Sequence, residues 1–287
     1  MTAGEDPRVP ERVERQPAGS DAPGPPSKSR AELVHDARKA IKRMRALARL
    51  LRCALGEREF ERVDDSLRAA GRRLSGARDA EVRLATLRRL RSKHPKALAS
   101  PAIERLHEQL ERERSQADEP AGAQEALADV ASMRAQLARW NVARHNFDAL
   151  APGLRRIYRQ GRRRHARVRA GAPTPEELHN WRKRVKALYY ALDMLGATQA
   201  KGARGATRRA RRLGEALGEE HDLWMLLAYV HEHPQPLGGD RVALEALSRT
   251  VERRRKRLRK RALRIGARLY ERKPAGFTRR IGAALDR

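Results

Sequence analysis

The residues VHDARKAIKRMRALARLL at positions 34–51 recur 144 positions later as LHNWRKRVKALYYALDML at 178–195. A chain that carries one unit twice is built by repetition, which constrains its fold more than any single motif does. In this register His35 meets His179, Arg38 meets Arg182, Lys39 meets Lys183 and Lys42 meets Lys186. Arginine matches weigh little in a chain with 54 of them, but the histidine and the two lysines come from pools of only 9 and 11. The apolar positions agree as well: Val34, Ala37, Ile41, Met44 and Leu51 fall on Leu178, Trp181, Val185, Leu188 and Leu195. A second block, LSGARDAEV at 74–82, resembles LGEEHDLWM at 217–225 at an offset of 143. Two diverged copies of one helical unit make up the chain.

The unit is helical because its apolar residues are spaced for a helix. Val34, Ala37, Ile41, Met44, Ala48 and Leu51 step by threes and fours, as do Phe60, Val63, Leu67, Ala70 and Leu74. The pattern returns with some slippage at Leu244, Leu247, Val251, Leu258, Ile265 and Leu269. Alternating β-branched and aromatic runs, the mark of strands, do not occur, so the fold class is all-α. Breaks are expected at Gly76, Pro95, Pro101, Pro120, Pro152, 171–175, 196–205, 234–239 and Pro274. Helices between such breaks suit antiparallel bundles. Asp79 and Asp222 precede apolar helical patterns and are expected as N-caps. Residues 1–30 hold six prolines among charged and small residues and read as a disordered tail.

The longest apolar run, Leu223 to Val230, has 8 residues, too few to cross a bilayer, and no secretory signal peptide is visible. Cys53 is the single cysteine, which excludes an intrachain disulfide and fits a reducing, cytoplasmic setting; its simplest role is packing. No cofactor is expected. Clustered carboxylates for a divalent metal and a phosphate-cradling glycine loop are both missing, which argues against an enzyme of phosphate chemistry. His35 and His179 have no second ligand at metal spacing on their own helices.

Charge supplies the functional signal. Lys and Arg number 65 against 36 Asp and Glu, a formal charge of +29, and arginine's planar fork suits bidentate contact with phosphate oxygens. His35, Arg38, Lys42, Arg45 and Arg49 follow the three-and-four spacing, one residue displaced from the apolar stripe. They form a ladder about 21 Å long, a shape matched to a linear polyanion. The second copy supplies His179, Arg182, Lys183 and Lys186 before turning less basic at Tyr189, Tyr190 and Asp193. Cations also gather in 155–169 and in 253–264, where Arg257 and Arg261 belong to another ladder. Like charges stacked at these spacings repel, and with few acids between them a neutralising partner from outside the chain is expected. A linear polyanion is the leading candidate. Nonspecific, weak binding to nucleic acid is the alternative, although scarce aromatic residues argue against single-strand stacking.

The paired H-x-x-R-K-x-x-K helix starts and the L-x-x-x-(R/H)-D blocks resemble the CHAD family, the conserved-histidine α-helical domain. The resemblance covers about residues 31–287. It implies two pseudo-symmetric antiparallel helical bundles around a basic central groove or channel that binds polyphosphate. The first half would be 31–147, a basic bridging segment 148–172 and the second half 173–287. It further implies that His35, Arg38, Lys39, Lys42, Arg45, His179, Arg182, Lys183 and Lys186 line the groove. Tyr189 stands opposite Arg45 and Ala187 opposite Arg43, so the two edges differ in charge. The implied setting is noncatalytic and cytoplasmic, with polyphosphate granules as a place of association.

Overall fold

A computed structural model of the chain describes residues 30–74, 78–116, 123–138 and 147–285. The proline-rich stretch expected as a tail lies outside the described residues apart from Arg30, as do the breaks at Gly76 and Pro120. Ten α-helices and one short 3-10 turn are found among the described residues, with no strand among them. In chain order they are α1 (Arg30–Leu55), α2 (Glu57–Arg73), α3 (Arg78–Lys93), α4 (Pro101–Gln116), α5 (Ala123–Ala138) and α6 (Phe147–Arg169). α7 (Pro175–Met194), α8 (Arg204–Glu232), α9 (Arg241–Leu269) and α10 (Pro274–Leu285) follow, with the 3-10 turn at Gln235–Leu237. None of these helices is long and apolar enough to cross a membrane.

The expected apolar stripes are the core. Ala37, Ile41, Met44, Ala48 and Leu51 are buried along α1, and Phe60, Val63, Leu67, Ala70 and Leu74 along the α2 segment. In the second copy Leu178, Trp181, Val185 and Leu188 are buried on α7. All join one continuous hydrophobic cluster. α1 packs against α2, α5, α6 and α7, whereas α8 packs against α7, α9 and α3. The basic 155–169 segment lies within α6, a core helix packed against α1, α7 and α10. Its Gly153 permits the closest backbone approach to α1, since a Cβ there would stand 2.1 Å from the Leu50 carbonyl oxygen.

Local chemistry sets four of the helix starts. Thr174 caps α7 by accepting from the Glu177 N–H, and the Glu177 carboxylate accepts from the Thr174 N–H in return, with Pro175 at the first helical position. Asp240 caps α9 by accepting from the Ala243 N–H. Pro101 and Pro274 likewise open α4 and α10.

Four expectations are corrected. Pro152 does not break the chain: it sits within the first two turns of α6, where a missing N–H forgoes a single backbone bond. The turn between α1 and α2 falls instead at Gly56, whose φ of 77° is open to glycine at little cost. Neither aspartate is an N-cap. Asp79 lies inside the first turn of α3, favourable to the helix dipole, and Asp222 is in the middle of α8. α8 runs unbroken through 217–225, where the first copy ends one helix and starts another. Finally, Cys53 is exposed, because it falls off the stripe that buries Leu50 and Leu51.

Candidate functional site

α2 carries one acid on its apolar stripe, Asp64, and the cations of α1 close on it. The Arg45 guanidinium donates to both carboxylate oxygens at 2.8 and 3.2 Å, and Arg49 donates at 3.2 Å. Arg68 completes the group at 3.0 Å. Burial raises the Asp64 pKa, but the Arg45 hydrogen bonds and the charges of Arg49, Arg45 and Arg68 outweigh it and hold the carboxyl below its ordinary value. The expectation that nothing inside the chain neutralises the first ladder is therefore corrected at Arg45 and Arg49: the acid comes from the neighbouring helix, outside the ladder's own spacing.

One carboxylate does not balance this cluster, because α6 and α7 add cations to it. Arg49 has its pKa lowered to about 10 by burial and by Arg45, against Asp64, with Arg184 and Arg68 adding to the depression. Arg184 is lowered by burial, then by Arg164 of α6, and by Arg45 and Arg68. Lys183 is lowered by burial and by Arg184, Arg45, Arg68 and Arg182. Burial is the first cause of each depression and neighbouring like charges add to it, so these cations sit in a partly dehydrated, positively charged setting. Lys183, Arg45 and Arg49 of the expected set are thus brought together across α1 and α7.

The histidines are not. Arg43 of α1 donates to Asp193 near the end of α7 at 2.7 Å, while Arg49 feels Arg184 nearer the α7 start. The two helices therefore pass in opposite senses, which places His35 and His179 toward opposite ends of the pair. His35 and Lys39 are exposed, and Lys42 is half-buried. Arg38 is turned to its own half, donating to the Leu74 carbonyl at the end of α2 at 2.9 Å. His179 lies against His221 of α8, ring centroids 4.7 Å apart, and His221 stacks on Trp224. Burial and then Arg182, His179, Lys183 and Lys186 push the His221 pKa down to about 4. Burial, followed by Lys183 and Arg182, also lowers His179.

Arg182 and Lys186 line a concavity of about 410 Å³ between α7 and α8, together with Tyr189, Tyr190 and Arg89 of α3. The glycines of α8 make room there: a Cβ at Gly214 would meet Val185 and Lys186 at 3.7 and 3.8 Å, and one at Gly218 would meet Arg182 at 3.7 Å. The α9 ladder is divided. Arg257 lines a neighbouring cleft that shares Arg89 and Glu219 with this concavity, whereas Arg261 lines a third hollow with Arg212, Arg264 and Arg268. Between them, Arg254 pairs with Glu219, and Arg255 and Arg259 with Glu220. Those acids come from α8, so the 253–264 run is partly neutralised across the helix interface.

Several contributors escaped sequence reasoning. Asp64 had a signal: a carboxylate between Phe60, Val63 and Leu67 on an apolar stripe demands a cationic partner. Arg184 faces Ala40 in the repeat, so matching the two copies passed over it. Arg89 and Arg164 lie outside the matched segments. Among the described residues no group of three or more His, Cys, Asp or Glu is placed to hold a metal.

With this geometry in place, comparison with known proteins adds one match: the family model described as CHAD domain covers residues 26–231. Neither the curated proteins nor the solved structures contain a match to the chain.

Proposed function

The chain belongs to the CHAD domain family, and from that premise we propose that it binds inorganic polyphosphate without catalysing its turnover. One observation carries the reading. Arg45, Arg49 and Arg68 close on the Asp64 carboxylate, Arg184 and Lys183 of α7 feel the same cations, and burial together with these like charges depresses Arg49, Lys183 and Arg184. Polyphosphate binding is the property associated with this domain family, and a string of phosphates is the partner that such a frustrated cluster favours.

The bound chain would follow a track along the α1–α7 pair. His35, Arg38, Lys39 and Lys42 would flank one end and His179 and Arg182 the other, with Arg45, Arg49, Lys183 and Lys186 between. Arg257 and Arg261 on α9 would extend the positive field toward either side. In this reading α1 and α7 are related by a pseudo-twofold axis, residues 31–147 and 173–287 form the two bundles, and 148–172 joins them. Counterion release would drive affinity, as it does for proteins on nucleic acid, so binding should weaken steeply with salt. A cytoplasmic place beside polyphosphate granules follows from such a ligand.

The test is a competition at physiological salt. Long-chain polyphosphate bound to the full chain should resist excess duplex DNA and RNA, whereas easy displacement would leave a generic polyanion binder. Exchanging both Lys183 and Arg184 for Ala should lower polyphosphate affinity about tenfold or more and flatten the salt dependence by one to two counterions. Unchanged affinity would remove the Asp64-centred cluster from the site.

A further inference from the structure

The cleft that shares Arg89 and Glu219 with the α7–α8 concavity is chemically unlike the proposed track. It lies between α3, α8 and α9, and α9 falls outside the residues matched by the family model. Its volume is about 370 Å³, within the range of small-ligand sites. Leu90, Leu223, Ala97 and Ala246 give it an apolar interior, and Leu90 and Leu223 are themselves core residues. Arg89, Lys93, Arg249, Arg253 and Arg257 surround that interior. Glu219, the acid in the lining, is held by a two-pronged hydrogen bond from Arg254 at 2.8 and 3.0 Å, so its charge is met locally. Arg249 reaches Glu245 only at 3.8 Å on an exposed surface, a weak tie.

A bare chain of phosphates gains nothing from an apolar interior. A ligand that fits both parts carries phosphates on a compact apolar body. The body is small, because the cleft holds only about 370 Å³ and cannot admit a long acyl chain. It is best flat, because arginines around a hollow stack on aromatic faces while their forks reach phosphate oxygens. We infer that this α3–α8–α9 cleft is a second ligand site, selective for a nucleoside polyphosphate, with the base against Leu90, Leu223 and Ala246 and the phosphates on Lys93, Arg253 and Arg257. The site shares Arg257 with the outer field of the proposed polyphosphate track, and the two are told apart because only this cleft has an interior for a base.

The probes are ATP and inorganic tripolyphosphate, which share the phosphate chain and differ by the nucleoside. Binding of each to the full chain is measured without added metal at physiological salt. ATP should bind about tenfold more tightly than tripolyphosphate, a difference that apolar burial of the base readily supplies. Ala246→Phe, at a half-buried position, fills the interior; it should bring the two affinities together while long-chain polyphosphate binding is retained. Should A246F fail to fold, the exposed pair Lys93→Ala with Arg253→Ala serves, and ATP affinity should fall about fivefold or more. Equal affinity for ATP and tripolyphosphate in the parent protein overturns the inference. So does an ATP preference that survives A246F, or an ATP affinity unmoved by the K93A/R253A pair.

Discussion

The two copies of the repeated unit treat their cations differently. On α1, Arg45 and Arg49 are tied to Asp64 of α2, and Arg38 to the Leu74 carbonyl at the end of that helix. On α7, Arg182 and Lys186 instead line a concavity against α8. In the second block's register Asp64 corresponds to Thr207, a buried residue whose hydroxyl donates to the Ala203 carbonyl within its own helix. The α8 helix also continues where α2 ends, so Leu217 presents no terminal carbonyl for Arg182 to take. One copy thus ties cations to α2 of its own half, and in the other the matching cations line a hollow against α8. The pair suits a polyanion binder: fixed forks in the centre give register, and the hollow gives room.

The largest expected effect comes from removing the asymmetry. Asp64→Asn strips the counter-charge from Arg45 and Arg49, which are mostly buried, and should cost about 3 kcal/mol by urea denaturation, as breaking a buried ion pair does. Long-chain polyphosphate should restore more stability to this variant than to the parent; a D64N protein that polyphosphate stabilises no more than the parent breaks the link between the frustrated cluster and ligand.

A smaller effect should appear with pH, and only in the second copy. His221 has a folded pKa of about 4 against an ordinary 6.5, so between those values the unfolded chain takes up a proton that the folded chain refuses. Stability contributed by neutral His221 is present above 6.5 and declines as the pH falls toward 4. Urea midpoints between pH 7 and 5 should drop less in His221→Gln than in the parent. Bound polyphosphate should shrink the parent's drop by favouring the imidazolium. Equal slopes in parent and H221Q would show that the histidine pair is not the sensor.

The smallest effect checks the equivalence of the copies. Gly71 and Gly214 occupy matching positions and face the matching residues Ile41 and Val185, where a Cβ would make ordinary contacts at 3.9 and 3.7 Å. Alanine at either helical position should stabilise by about 0.5–1 kcal/mol. A gain at one and a loss at the other would mean that the two helix pairs do not pack alike.

Much of this architecture was legible in the chain. The α1, α2 and α7 stripes were read residue by residue, because burial of an apolar face imposes a helical period that survives divergence. Breaks were less legible, since Pro152 and Asp222 carry stop or cap chemistry that a helix tolerates when its surroundings keep it folded. The site was legible as far as composition and repetition reach: the helices bearing the cations were found, and Lys183 of α7 feels the charge of Arg45 of α1. What was missed lay outside the compared segments or opposite an unlike residue: Asp64 on α2, Arg89 on α3, and Arg184 on α7, which faces Ala40 in the repeat.

By itself the sequence determined an all-α protein with a duplicated helical unit and two cationic edges, because periodicity and net charge are properties of the chain read locally. Only the tertiary structure decided which of those cations meet an internal acid, which line a hollow, and that His35 and His179 sit toward opposite ends of the α1–α7 pair. Those outcomes depend on the direction in which α1 and α7 pass each other and on which neighbouring helix brings a carboxylate within 3 Å. Distances of that kind are set by packing, and no linear spacing encodes them.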